Sequence, residues 1–238
     1  MKRLSLRVAI AIAAFAVGVA VATFYRLRDT PAISQPAQPV AEARLKDDCY
    51  PGKSTAITLT TGTAHFPKEL LSQDERRARM MNEWYAKHLT AMEEGPLFSP
   101  DKNVLESYRF LWLRSFHHPV GVRIWRSSTG HFISVKEMSG AGGYEPGSFI
   151  LKEQRPITAD EWDTFMRLLK DSCYWGQPTE DPNDRGLDGA EWILEGVRED
   201  RYHLVDRWTP ESGSFREACL YLLKLSQLPI DTKQEPLY

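Results

Sequence analysis

The fold is decided by two consecutive stretches, YRFLWLRSF at residues 108–116 and VGVRIW at residues 120–125. The first is apolar at odd and even positions alike, which is typical of a strand buried on both faces of a sheet. The second alternates β-branched residues with other types, the pattern of a half-buried strand. Because only His117-His118-Pro119 separates them, we expect two antiparallel neighbours in one sheet.

Similar short runs extend this sheet in both directions along the chain. We predict a four-strand meander followed later by a hairpin, at residues 108–116, 120–125, 132–138 and 149–152 for the meander and 190–198 and 202–208 for the hairpin. Short turns between such runs favour antiparallel pairing.

Three segments with helical spacing of apolar residues surround the predicted strands. Each begins with a capping-box pattern, at Ser72-x-x-Glu75, Thr158-x-x-Glu161 and Ser214-x-x-Glu217. Gly95-Pro96 is a typical stop for the first helix, and Pro229 follows the third. Segregated strands and helices predict an α+β fold, an antiparallel sheet packed with three helices.

The N-terminus carries a different signal. Residues 8–24 are apolar and uncharged, with basic residues on both sides, which predicts a transmembrane helix with its N-terminus in the cytoplasm. We interpret residues 1–28 as a signal anchor, residues 29–48 as a Pro/Ala/Gln-rich spacer, residues 49–229 as one globular domain and residues 230–238 as a polar tail. The alternative is secretion after cleavage near Ala20-Val21-Ala22.

Composition excludes several classes of protein. The net charge is −2 and there is no basic block, so we expect no nucleic-acid partner. No cofactor motif is present, and no metal site is predicted.

The three cysteines permit one disulfide and one thiol. Cys173 and Cys219 pair if their helices touch, and otherwise each is buried and reduced.

The glycine-rich segment at residues 139–147, SGAGGYEPG, is the longest predicted connection between strands. It lacks the ending of a phosphate-binding P-loop, so a flexible hairpin connection is its ordinary interpretation. Its length nevertheless makes it the best candidate for a binding or lid loop. The binding candidates on it are Gly140, Gly142, Gly143 and Tyr144.

No nucleophile motif occurs, and the candidate catalytic residues are a loose set: Asp188, His203 and Glu145. They can form the active site of an envelope hydrolase only if their side chains meet in one pocket. His203 and Asp206 lie at opposite parity on one predicted strand and therefore face opposite sides. Residues 181–189 partly imitate a calcium-binding loop, so a calcium-stabilised module is a further alternative.

The C-terminal third carries the pattern Gly186-Leu187-Asp188-Gly189-x-x-Trp192-x-Leu194-Glu195-Gly196 and then Tyr202-His203-x-Val205-x-Arg207-Trp208-x-Pro210. This pattern resembles an uncharacterised family of bacterial proteins. The resemblance implies a bacterial origin and a single domain, and it implies no activity.

Together these features favour a non-catalytic binding domain held by an inner-membrane anchor. The domain would lie in the periplasm or elsewhere outside the cytoplasm. We expect its partners to be the membrane, through the N-terminal helix, and an envelope protein or another envelope component.

Overall fold

The computed structural model describes residues 57–58, 65–67, 71–72, 74–98, 103–181, 186–199, 201–230 and 237. All of them belong to the compact unit Asp47–Tyr238. The predicted anchor and spacer and most of the predicted tail lie outside the described residues, as does Cys49. Within the described ranges, no helix is long and apolar enough to span a membrane.

The described strands form one antiparallel sheet in the order β1-β7-β6-β2-β3-β4-β5. Their bounds are Ile57–Thr58 (β1), Val104–Arg114 (β2), Val120–Ser127 (β3), Gly130–Met138 (β4), Phe149–Ile157 (β5), Ala190–Arg198 (β6) and Arg201–Trp208 (β7). The predicted meander is β2 to β5, and the predicted hairpin β6–β7 pairs with it through β2. The α+β fold with an antiparallel sheet and three helices is confirmed.

Strand β5 is longer than its predicted span, which ended at Lys152. It continues through five further residues, Glu153–Ile157, most of them exposed. As the outer strand of the sheet, β5 has a neighbour on one side only. Its side chains therefore lack the apolar alternation on which the prediction depended.

The three helices are α1 (Glu75–Ala91), α2 (Ala159–Asp171) and α3 (Ser214–Ser226). Only the middle capping box is confirmed, with Thr158 and Glu161 bonding reciprocally. The first is wrong because the carboxylate of Asp74, not the hydroxyl of Ser72, accepts from the first turn. The third is wrong because Ser214 is already helical and Gly213 is the N-cap.

Helix α1 also ends differently from the prediction, which placed the stop at Gly95-Pro96. Glu93 adopts the left-handed conformation with φ of 55°. The Glu94 amide then donates to Leu89 and the Glu93 amide to Thr90, at 2.8 Å and 3.0 Å between nitrogen and oxygen. This is a Schellman ending in which a glutamate occupies the position that glycine usually takes.

The sheet has a core on each face. On one face, side chains such as Tyr108, Phe110 and Trp112 pack with α2, α3 and the 3₁₀ turn Tyr174–Gly176. On the other face, the alternate residues of the same strand, Leu111 among them, pack under α1. Strand β2 is therefore buried on both sides, as its apolar character predicted.

Candidate functional site

The three candidate catalytic residues lie in different environments. Glu145 is exposed in the β4–β5 loop, where its carboxylate accepts from Lys87 Nζ at 3.0 Å. Asp188 is exposed just before β6. His203 is fully buried on β7 against Tyr174, with ring centroids 5.1 Å apart.

His203 also lies far along the sheet from the other two. Gly196 pairs with both His203 and Tyr108, whereas the loops that carry Asp188 and Glu145 meet Ser115, through Gly189 and Gly143. A strand rises about 3.3 Å per residue, so the seven steps from Tyr108 to Ser115 separate them by roughly 23 Å. The structure does not bring the set into one pocket.

Burial also removes His203 from acid–base chemistry at neutral pH. Desolvation lowers the pKa of His203 to about 4. The same cause, with Lys87 adding repulsion, lowers the pKa of His88 to about 4. Both imidazoles are fully buried.

The glycine-rich segment is held in place by hydrogen bonds. Gly142 donates to the carbonyl of His117 at 2.9 Å, and its own carbonyl accepts from Trp84 Nε1 at 2.8 Å. A Cβ on Gly142 would lie 2.6 Å from the backbone of Arg114, so only glycine permits this approach. The segment is a docked connection, which gives no support to its interpretation as a lid.

The other glycine candidates take part in the same docked turn. Gly140 donates to the carbonyl of Pro146 at 2.9 Å, and Gly143 donates to Ser115 at 3.2 Å. Tyr144 is 60% exposed and lies beside Phe116, itself 56% exposed, with ring centroids 6.1 Å apart. Of the four candidates, Tyr144 alone has a side chain that a ligand can contact.

Residues of the C-terminal sequence pattern take part in the packing of the hairpin. Gly189 lies under Trp208, and a Cβ there would be 2.3 Å from Thr209 Oγ1. Glu195 is fully buried and accepts from Tyr202 Oη at 2.8 Å. These residues stabilise the β6–β7 hairpin, which accounts for the pattern without a catalytic role.

A groove of about 500 Å³ lies elsewhere, beside the C-terminal end of α1. Its lining consists of Glu93–Gly95 at the end of the helix together with side chains from the sheet: Arg123, Trp125, Ser134, Lys136, Lys152 and Gln154. These strand residues alternate with core residues and share the face of the sheet that α1 covers in part. Glu153 borders the groove, but it pairs with Val135 of the other core, so its carboxylate points away.

Glu94 forms the floor of the groove. Its carboxylate is 2.5 Å from Lys136 Nζ, 3.4 Å from Arg109 Nη1 and 3.6 Å from Arg123 Nη1. Burial raises the pKa of this carboxyl, but the Arg109 and Lys136 charges outweigh it, so the pKa lies below its usual value. Glu94 is therefore a carboxylate held among three cations.

A second ion pair supports the floor from behind. The Arg109 guanidinium donates twice to Glu195, at 2.9 Å from Nε and 2.7 Å from Nη2, and also to the carbonyl of Gly95 at 2.7 Å. Burial lowers the pKa of Arg109, but Glu195 and Glu94 raise it further, and the net shift is upward. The arginine fixes the end of α1 to the sheet.

One wall of the groove is aromatic. The Trp125 ring stacks on Phe132 with centroids 5.5 Å apart and planes 21° apart. The Arg123 guanidinium carbon lies 5.3 Å from the Trp125 ring centroid. An aromatic face beside fixed charges can hold the apolar side of a polar ligand.

A separate acidic centre lies under α1. Asp206 is 4% exposed, and its Oδ2 accepts from Tyr85 Oη at 2.8 Å. Desolvation raises the pKa of Asp206 to about 6, against hydrogen bonding to Glu191 and Tyr85. As its parity predicted, Asp206 faces the side opposite His203, and it has no part in the groove.

The cysteine pairing predicted from helix contact is wrong. Cys173 is disulfide-bonded, whereas Cys219 is a free and fully buried thiol. Cys173 also does not belong to the face of α2, because the helix ends at Asp171 and Cys173 is left-handed with φ of 54°. Cys219 packs in the core of the α2–α3 face, and burial raises its pKa.

The described residues contain no group of three or more His, Cys, Asp or Glu side chains placed to hold a metal ion. The calcium-like loop at residues 181–189 is described only in part, since residues 182–185 lie outside the described ranges. Comparison with protein-family models, curated proteins and solved structures finds no match to this chain. The resemblance to an uncharacterised bacterial family stays a prediction.

Sequence reasoning did not find the groove. Its described residues come from four strands and the end of one helix, and no motif connects them. The available signal was alternation: Arg123 and Trp125 on one strand, and Ser134 and Lys136 on the next, occupy the positions between buried aliphatic residues. Polar residues at such positions indicate a face that is not fully covered.

Proposed function

We propose that the chain is a membrane-tethered binding domain that acts outside the cytoplasm and holds its ligand in the groove beside Glu94. The observation that carries the proposal is a concave polar site whose charges are fixed by one another. Preorganised groups of this kind lower the cost of binding, because few side chains have to be ordered when the ligand arrives.

The chemistry of the groove favours binding over catalysis. Ser134 contributes a hydroxyl to the lining, and the nearby Lys136 donates to Glu94 at 2.5 Å and to the Glu93 carbonyl at 3.5 Å. Neither contact activates a serine as a nucleophile, which requires a base within hydrogen-bond reach. The ion pairs keep the lysine ammonium and the glutamate occupied with each other.

The strained helix ending supports the choice of this site. Glu93 adopts the left-handed conformation although it is not a glycine. Such a conformation costs of order 1–3 kcal/mol, and residues that adopt it cluster at functional sites. Its carboxylate accepts from Lys152 Nζ at 2.5 Å across the groove. Helix α1 and the edge strand β5 are thereby joined at the rim.

The disulfide at Cys173 supports the compartment. Disulfides persist in oxidising environments and are rare in the cytosol. Together with the apolar segment at residues 8–24, it favours a domain delivered across the inner membrane. The expected partner is an envelope protein or another envelope component.

Location is tested by protease treatment of spheroplasts that contain the full chain. We expect an added protease to remove residues 49–238 without lysis, while a cytoplasmic marker protein remains intact. Protection of the domain until the cells are lysed would refute the proposed location.

Ligand binding is tested by placing a photoreactive phenylalanine analogue at Gln154, on the rim of the groove, in living cells. The matched control carries the same analogue at Arg167, which is exposed on α2 on the opposite face. We expect an adduct from position 154 and none from position 167. Absence of adducts at position 154, or equal adducts at both positions, would refute a ligand in the groove.

A further inference from the structure

The charges of the groove do not cancel. Among the described residues whose charged groups face the groove, four cations stand against three carboxylates, namely Arg109, Arg123, Lys136 and Lys152 against Glu93, Glu94 and Glu195; Glu153 is not counted, because it lies on the opposite face of β5. One positive charge is therefore in excess. Because Arg109 and Lys136 are buried and each holds a short contact to a carboxylate, the excess is carried by a less tightly paired group.

Arg123 is that group. Its contact to Glu94 is the longest of the three, at 3.6 Å, and its Nε donates to Ser107 Oγ at 3.1 Å. Its side chain remains 26% exposed and lines the groove. A planar guanidinium with donors left over fits a carboxylate or phosphate group better than an ammonium does.

Trp125 indicates that the ligand also has an apolar side. Its ring stacks on Phe132, and the Arg123 guanidinium carbon lies 5.3 Å from its centroid. The remaining lining offers hydroxyl, amide and ammonium groups, from Ser134, Gln154 and Lys152. A sugar combines these features, since one side of its ring presents C–H groups while its edge presents hydroxyls.

We propose that the groove binds an anionic sugar unit, with its acidic group on Arg123 and its ring against Trp125. This inference rests on the proposed function and names its ligand class. Carboxylated and phosphorylated sugars share the chemistry, so both are tested. The groove volume of about 500 Å³ lies within the range of about 300–1,000 Å³ usual for small-ligand sites.

The test is calorimetric titration of the full chain in nonionic detergent. One arm compares trigalacturonate with its fully methyl-esterified form, and the other compares glucose 6-phosphate with glucose. We expect at least one anionic sugar to bind at least tenfold more tightly than its neutral counterpart. Equal affinities within both pairs, or no heat from any of the four, would overturn the inference.

Variants locate the binding. Arg123→Gln is expected to weaken the anionic sugar at least tenfold, and Arg123→Lys to recover part of the loss. Arg126→Gln is the matched control, because Arg126 belongs to the same strand but pairs with Glu106 at 3.3 Å on the opposite face. Gln154→Glu adds a repelling charge at an exposed rim position and should weaken the anionic sugar without affecting the neutral one. If the affinity for the anionic sugar is unchanged in both Arg123→Gln and Gln154→Glu, the inference is overturned.

This outcome is separable from that of the proposed function. If no anionic sugar binds but the photoreactive group at Gln154 still forms adducts, the groove holds a ligand of another class, and only the sugar assignment fails. If adducts are absent as well, the proposed function fails with it.

Discussion

Asp206 gives the clearest quantitative expectation, because one isosteric substitution removes its charge. The carboxyl is 4% exposed under α1, and burial raises its pKa from 3.8 to about 6. The folded state therefore binds more protons than the unfolded state between these two values. By linkage, the free energy of unfolding falls as the pH rises through this window.

The magnitude follows from the size of the shift. Each unit of pKa corresponds to about 1.36 kcal/mol, so ionisation of Asp206 costs the native state about 3 kcal/mol by pH 7. Asp206→Asn is free of this cost, while its amide oxygen can still accept from Tyr85. We expect the free energy of unfolding of the variant, relative to that of the natural protein, to rise by about 2 kcal/mol between pH 4 and pH 7, because part of the cost is already present at pH 4.

The measurement is urea unfolding of both full chains in nonionic detergent, followed by tryptophan fluorescence from pH 4 to pH 8. Acid destabilisation by His88 and His203, whose pKa values are lowered to about 4, is common to both proteins and cancels in the difference. Tyr85→Phe is the companion variant, since loss of the donor at 2.8 Å should move the inflection to higher pH. A difference that stays constant from pH 4 to pH 8 would refute the reasoning.

Three further predictions follow from the packing. Gly142→Ala should lower the free energy of unfolding in urea by about 1–3 kcal/mol, because the added Cβ would lie 2.6 Å from backbone atoms. Gly95→Ala is the control and should be neutral, because a Cβ at Gly95 has no atom within 4 Å. Glu195→Gln should cost about 3 kcal/mol by the same assay, because it breaks a buried pair and leaves the charge of Arg109 less compensated; an unchanged midpoint would refute the role of the pair. Unreduced protein in denaturant should react with one equivalent of thiol reagent, from Cys219, and no equivalent should react in the native state.

Much of the fold could be predicted because its signals are local. The strand at residues 108–116 has apolar residues at odd and even positions alike, and the hairpin at residues 190–208 combines two similar runs with a short turn. The capping box at Thr158 is a chemical pattern complete within four residues. Each of these features requires no knowledge of what packs nearby.

The failures concern features that the local sequence patterns do not contain, either the conformation at one residue or the register between distant strands. The helix faces left open whether Cys173 and Cys219 pair or are each reduced, and the chain turns left-handed at Cys173, immediately after α2. The cluster of Asp188, His203 and Glu145 required the ends of several strands to meet, and strand register separates them. The end of α1 at Glu93, rather than at a glycine, is stabilised by Lys152 from β5.

The groove follows from a mismatch of widths that sequence alone nearly reveals. Seven strands spaced about 4.8 Å apart make a sheet close to 30 Å wide, whereas one helix covers about 10 Å. Two helices pack on one face, whereas α1 is the one helix on the other face in the part of the chain that the structure describes, so strands β3 to β5 extend beyond it. Polar residues line the groove that results: Arg123 and Gln154 keep exposed surface, whereas Ser134 and Lys136 are buried. Three helices of this width cannot cover both faces of so wide a sheet, and the positions left open belong to β3, β4 and β5 rather than to the glycine-rich loop.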